Sequence, residues 1–248
     1  MTGVPMTSNE TGKGISGDGT KLIFQIAILL TVAVLCFAAY QALVVAPTEQ
    51  TMGDVQRIFY YHVPSAWTAF LLFLINFISS IVYLVRRSAK ADILALVSAE
   101  VGVVFCTVVL VTGPIWARPV WGIWWTWDLR LTLTLVLWLI YVSYLFLRRF
   151  STSGQTPVLA AALAIFGALD VPLVYFSIWF FRTQHPSPVI GGGGSLDPRM
   201  AHVLLINWGA FLCLAGVLCW ARYRLEVMRQ DLEETQALES LLEPRSLR

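Results

Sequence analysis

Six apolar runs, at residues 22–45, 65–85, 93–116, 131–147, 158–180 and 200–221, constrain this chain more than any other feature. Each is long enough to cross a bilayer as a helix. In lipid every backbone N–H and C=O must be satisfied internally, which leaves helices or closed barrels, and runs of this length exclude barrel strands. Hydrophobic residues make up 57% of the 248, with a mean hydropathy of +0.71, more apolar surface than a soluble core can hide. The expected fold class is all-α: a polytopic integral membrane protein with six transmembrane helices. The gaps between runs leave no room for a soluble domain of ordinary size.

Lys and Arg set the orientation. Arg86, Arg87 and Lys90 follow the second run, Arg148 and Arg149 the fourth, Arg222 and Arg224 the sixth, and Lys13 and Lys21 precede the first. Those ends are expected in the cytoplasm. The other three links carry fewer positive charges for their length and are expected outside, so both termini lie inside. Residues 1–20, rich in Gly, Ser, Thr and Asn, read as a disordered cytoplasmic tail, and a cleaved signal peptide is not expected. Residues 21–222 form the membrane domain. Residues 223–248, with Leu225, Met228, Leu232, Leu238 and Leu241 among charges, read as a cytoplasmic amphipathic continuation of the sixth helix.

The link between the third and fourth runs holds the densest pattern: Trp121-Gly122-Ile123-Trp124-Trp125-Thr126-Trp127-Asp128-Leu129-Arg130-Leu131-Thr132. If helical, Trp121, Trp124, Trp125 and Asp128 share one face, a flat aromatic shelf with a carboxylate at one end. Trp127 would then lie about 120° from Trp121, at roughly 100° per residue. Tryptophan at a membrane interface is also an anchor, but an anchor needs only one or two. Asp128 reads as the N-cap of the fourth helix with Arg130 or Arg118 as partner. In the first outward link, Val55, Ile58, Phe59 and His62 share a helical face. They suggest a short amphipathic helix lying on the membrane, with Pro64 opening the second transmembrane helix. In the last outward link, the four glycines at 191–194 are expected to be a hinge; no G-K-[S/T] follows, so they are not a phosphate loop. Asp197-Pro198 reads as N-cap and first turn of the sixth helix.

The run W-G-x-W-W-x-W-D-x-R-L-T, with the length and layout of the chain, resembles the tryptophan-rich motif of the CcmC family, the haem-handling subunits of the exporter system in cytochrome c maturation. The resemblance extends from about Ala46 to about Ala221. It implies non-covalent haem b at the outer face and no catalytic residues. His62, in His62-Val63-Pro64, matches one axial ligand, and His185 fits the other by position. A neutral imidazole suits haem iron, and two complete six-coordination. Trp121, Trp124, Trp125 and Trp127 would support the porphyrin, Arg118 and Arg130 would hold its propionates, and Asp128 belongs to the same motif. The implied partners are a periplasmic CcmE-like haem chaperone, a CcmA-like ATPase, a CcmB-like membrane subunit, a small CcmD-like subunit and inner-membrane lipid. The chain itself has no Walker A sequence.

Other polar residues stand outside the motif. His202 is expected one turn into the sixth helix, hydrogen-bonded to a neighbouring helix. Glu100 and Asp170 fall within apolar runs, where ionisable groups are functional candidates, and Pro172 suggests a kink. Cys36, Cys106, Cys213 and Cys219 form no C-x-x-C, which argues against thiol exchange and covalent haem attachment. The net charge of +2 gives no reason to expect nucleic acid. Three rivals remain. A b-type electron-transfer cytochrome would usually carry its histidines inside the apolar runs. The haem-attaching synthetase branch of the same superfamily would be longer and richer in His. A small-solute transporter would show inverted repeats around a midplane site, and only Glu100 and Asp170 support it.

Overall fold

The computed structural model describes residues 11–151, 153–181, 185 and 196–242. Among these described residues seven α-helices run in chain order: α1 (Thr11–Tyr40), α2 (Phe59–Arg86), α3 (Ala89–Trp121), α4 (Leu129–Phe150), α5 (Thr156–Ala168), α6 (Asp170–Phe180) and α7 (Pro198–Leu242). Six segments are long and apolar enough to cross a membrane: Gly19–Val45, Asp54–Arg86, Ala89–Trp121, Leu129–Phe150, Thr156–Phe180 and Pro198–Leu241. The all-α, six-span fold is as expected, with helices extending past their apolar cores. α1 begins at Thr11, inside the stretch whose composition suggested a tail, because a helix once nucleated gains a bond for each residue added. Residues 1–10 and 243–248 lie outside the described residues.

α2 and α3 form the central hairpin. Arg87 ends α2 in the left-handed region (φ 53°), its N–H bonded to Tyr83 O at 2.8 Å, and Ser88 starts α3. So short a link makes the two helices antiparallel neighbours. Gly102 lets them close, since a Cβ there would sit 2.7 Å from Phe73 Cε1. α7 packs on the hairpin with α1 outside it, while α4 and α5 pack on α3 and α2, and α6 on α4. Phe73 and Tyr141 stack with ring centroids 3.8 Å apart, joining α2 to α4 in the core. α1 leans chiefly on α7, where Asn207 Nδ2 donates to Ala38 O at 3.2 Å.

The fifth span is two helices broken at Leu169. The expected kink lies just before Pro172, which has no N–H to give the carbonyl of Ala168 four residues back. Asp170 opens α6 there, buried at 6% exposure with Oδ2 unpartnered. Glu100 is paired instead: Arg222 Nε and Nη2 donate to its carboxylate at 2.8 and 2.9 Å. This pair belongs to an ion cluster toward the end of the bundle opposite the Trp-rich link. Arg148 grips Asp92 with both nitrogens there (Nη2–Oδ2 2.8 Å), and buried Glu226 accepts from Arg229 at 2.7 Å. Pairing with Arg222 removes Glu100 as an unpaired acid for a transporter site. All four cysteines are free thiols.

Candidate functional site

His62 is set by the way α2 begins. Residues Asp54–Ile58 coil as a tight 3-10 turn that runs straight into α2. The separate surface helix is therefore not formed, and Pro64 lies inside α2 rather than opening it. Arg57 is the cause. Its Nη1 donates to Ala42 O (2.8 Å) and Ala46 O (3.4 Å), and its Nε to Asp54 Oδ1 (3.1 Å), tying the turn to the end of the first span. Phe59 and Tyr60 then close onto Met200, Val203 and Leu204 of α7. His62 ends up buried, with Nδ1 2.9 Å from Thr112 Oγ1 on α3 and its ring edge-on to Trp116, centroids 5.8 Å apart.

The Trp-rich link is not a helix. α3 stops at Trp121 because Gly122 takes the left-handed conformation (φ 77°) and returns its N–H to Arg118 O at 3.0 Å. α4 starts at Leu129 because Asp128 accepts the Leu131 N–H at 3.0 Å. A glycine stop and an aspartate start override the helical periodicity between them, so the shelf of Trp121, Trp124, Trp125 and Asp128 on one face does not form. Trp121 and Trp125 line a cavity instead, while Trp124 and Trp127 stand out at 59% and 76% exposure. Trp127 still meets Trp125 edge to face, centroids 5.8 Å apart.

The cavity lies among α2, α3, α4 and α6. Its walls are mostly apolar, with Ala69, Val109, Leu110 and Val174 among them. The rings of His62 and His185 come within 6.5 Å of each other, centroid to centroid, at 33°. Arg130 is partly buried with Nη1 unpartnered, and Trp116 Nε1 and Trp125 Nε1 are unpartnered too. No carboxylate is among the described residues that line it. Donors left without an acceptor in such surroundings are costly unless a ligand with acceptor oxygens completes them.

Residues 15–238 match the family described as heme exporter protein C. The chain belongs to the CcmC family. The heme exporter protein C of Bradyrhizobium diazoefficiens is 34% identical over 85% of this chain and 81% of its own length. That of Escherichia coli K12 is 30% identical over 79% and 80%. A putative cytochrome c biosynthesis ccmC-like mitochondrial protein of Arabidopsis thaliana is 31% identical over 92% and 89%. The CcmC match contains every residue lining the cavity.

Of the residues singled out by resemblance to CcmC proteins, His62, His185, Trp121, Trp125 and Arg130 gather around the cavity. Trp124, Trp127, Arg118 and Asp128 do not line it. Arg118 is exposed, and its guanidinium donates to the Gly122 carbonyl at the end of its own helix. Asp128 caps α4 as expected and attracts the Arg130 guanidinium across a longer distance: among the described residues no ion pair within 4 Å joins the two, and Thr126 Oγ1 donates to the carboxylate at 3.2 Å. His202 is exposed on α7 and, among the described residues, makes none of the expected hydrogen bonds to a neighbouring helix. Asp197 caps α7, accepting the Arg199 N–H at 2.8 Å. The Arg199 guanidinium beside it holds its carboxyl below the usual carboxylate range. Arg182 and the glycines at 191–194 lie outside the described residues. Thr112, Gly113 and Trp116 also join the site. In the sequence they are ordinary members of an apolar run, and only the histidine packed against them gives them a role.

Proposed function

We propose that this chain is a haem-handling subunit of cytochrome c maturation: a multi-pass inner-membrane protein that holds haem at the Trp-link end of the bundle and passes it to a periplasmic CcmE-like chaperone. The names of its relatives, heme exporter protein C and cytochrome c biosynthesis protein, support this role. Haem is the cargo. The observation that carries the reading is the convergence of two imidazoles and the Arg130 guanidinium on one largely apolar cavity. Two imidazoles bound to one metal ion from opposite sides, with bonds of about 2 Å, have centroids roughly 6 Å apart. His62 and His185 stand at 6.5 Å.

Haem brings an iron that takes two neutral nitrogen donors, a planar apolar ring and two carboxylates. The chain supplies a group for each. His62 and His185 are the nitrogen donors. Arg130 can grip a carboxylate with parallel hydrogen bonds. Trp121 and Trp125 offer aromatic walls to the ring. The exposed Trp124 and Trp127 carry the aromatic surface outward, toward the chaperone. No bond to the porphyrin is made, so the chain captures and presents haem without catalysing a reaction. ATP hydrolysis belongs to a CcmA-like subunit working with CcmB-like and CcmD-like partners. The Lys and Arg clusters at the opposite end support a cytoplasmic location for that end and for both termini.

The protein purified from membranes should show a Soret band with six-coordinate, bis-imidazole features. His62→Ala and His185→Ala should each weaken haem retention, and the double variant should lose most of it. His202→Ala should leave the spectrum unchanged. A protein that gives no haem spectrum after reconstitution, or a His202 variant that loses haem while the His185 variant keeps it, would overturn the assignment.

A further inference from the structure

The His62 imidazole is held from behind by a group that the resemblance does not single out. Thr112 Oγ1 lies 2.9 Å from His62 Nδ1 and 2.7 Å from the carbonyl of Val108, one turn back in α3. A hydroxyl has one proton and two lone pairs. Spent on Val108, that proton leaves Thr112 only able to accept, so Nδ1 must be the donor. The opposite arrangement would turn the hydroxyl proton onto Nδ1 and move the ring proton to Nε2. It would give up the 2.7 Å bond and present an N–H to a cavity with no carboxylate among its described lining residues. Thr112 is β-branched and helical, which limits its side chain to few rotamers. Gly113 beside it also faces the ring: a Cβ there would lie at an ordinary contact distance, 3.5 Å, from His62 Cε1.

We propose that Thr112 is a positioning residue that fixes His62 as the Nδ1–H tautomer, leaving the Nε2 lone pair for the iron, and that its acceptor bond strengthens His62 as a ligand. This rests on the reading of His62 as an axial ligand. A hydrogen bond from Nδ1–H to a neighbour raises the basicity of the ring and orients it, and loss of such a partner from a metal-bound histidine weakens binding on the order of 10-fold or more. A more basic imidazole favours ferric over ferrous iron, so removal of the bond should raise the reduction potential.

The test uses the full-length protein in detergent with histidines labelled with nitrogen-15. In the haem-free protein, the His62 signal, assigned by its loss in His62→Gln, should report a single Nδ1–H tautomer. Thr112→Val keeps the shape and removes the acceptor; it should give mixed tautomers, a higher haem reduction potential and release of haem to an excess of scavenger roughly 10-fold faster. Thr112→Ser should restore all three. If the valine variant fails to accumulate, Thr112→Ala removes the same acceptor and is read the same way. An unchanged tautomer and potential in these variants, with haem still lost from His62→Ala, would overturn the role of Thr112 and leave the ligand reading intact. Retention of the bis-imidazole spectrum in His62→Ala would overturn the ligand reading and this proposal with it, whatever the tautomer.

Discussion

At the scale of single residues, two arginines that the sequence made equivalent are placed in different surroundings. Arg130 is partly buried against the cavity with Nη1 unpartnered, whereas Arg118 spends its guanidinium on the end of its own helix. A charge-assisted hydrogen bond contributes about 1.5–3 kcal/mol. Arg130→Ala should therefore lower haem affinity roughly 10- to 100-fold, and Arg118→Ala should change it little, measured by haem titration at equal protein level. The tryptophans divide in the same way. Trp125→Ala removes a wall of the cavity and should weaken retention several-fold, at about 0.5–1.5 kcal/mol per aromatic contact beyond area burial. Trp124→Ala should matter less for retention and more for transfer to the chaperone. Equal haem loss at both positions, tracking protein level, would return the tryptophans to the role of membrane anchors.

At the scale of elements, the Trp-rich link is defined by its two ends. Asp128→Ala should cost about 1 kcal/mol of α4 stability and reduce haem occupancy, while Asp128→Asn, which also caps, should behave much like the wild type. A thermal melt with haem per protein separates the two; an asparagine variant as impaired as the alanine one would mean that the charge matters rather than the cap. Gly122→Val puts a β-branched side chain at a left-handed position and should disturb the exit of α3, lowering haem occupancy without preventing membrane insertion. This link also shows what a sequence can reveal. The six spans were legible because a bilayer demands about twenty apolar residues and little else. The caps at Asp128 and Asp197 were legible because they act on neighbouring backbone. The shelf was misread because periodicity was followed through a glycine that stops a helix. The meeting of His62, Arg130 and His185 depends on how helices pack, and no local pattern shows which side chains of distant spans will share a cavity.

At the scale of the molecule, the end opposite the Trp-rich link is fastened by ion pairs rather than by apolar packing alone. Arg148 and Asp92 are 10% and 13% exposed, so removing one partner strands a nearly buried charge. Asp92→Ala should destabilise the protein by roughly 3–5 kcal/mol, seen as a lower melting temperature in detergent, and the additional change Arg148→Met should recover part of the loss. If the double variant is no more stable than Asp92→Ala, the pair is not coupled as the geometry indicates. The placement of α1 has a consequence of another kind, in the timing of synthesis. α1 has its main partner in α7, and Ala38 is separated from Asn207 by 169 positions. At roughly 5–20 residues per second, α1 waits on the order of 10–30 seconds before α7 exists. It must survive that interval as a solitary rod in lipid. Its span is apolar on nearly every side, whereas α3 carries Glu100, whose partner Arg222 also comes only with α7.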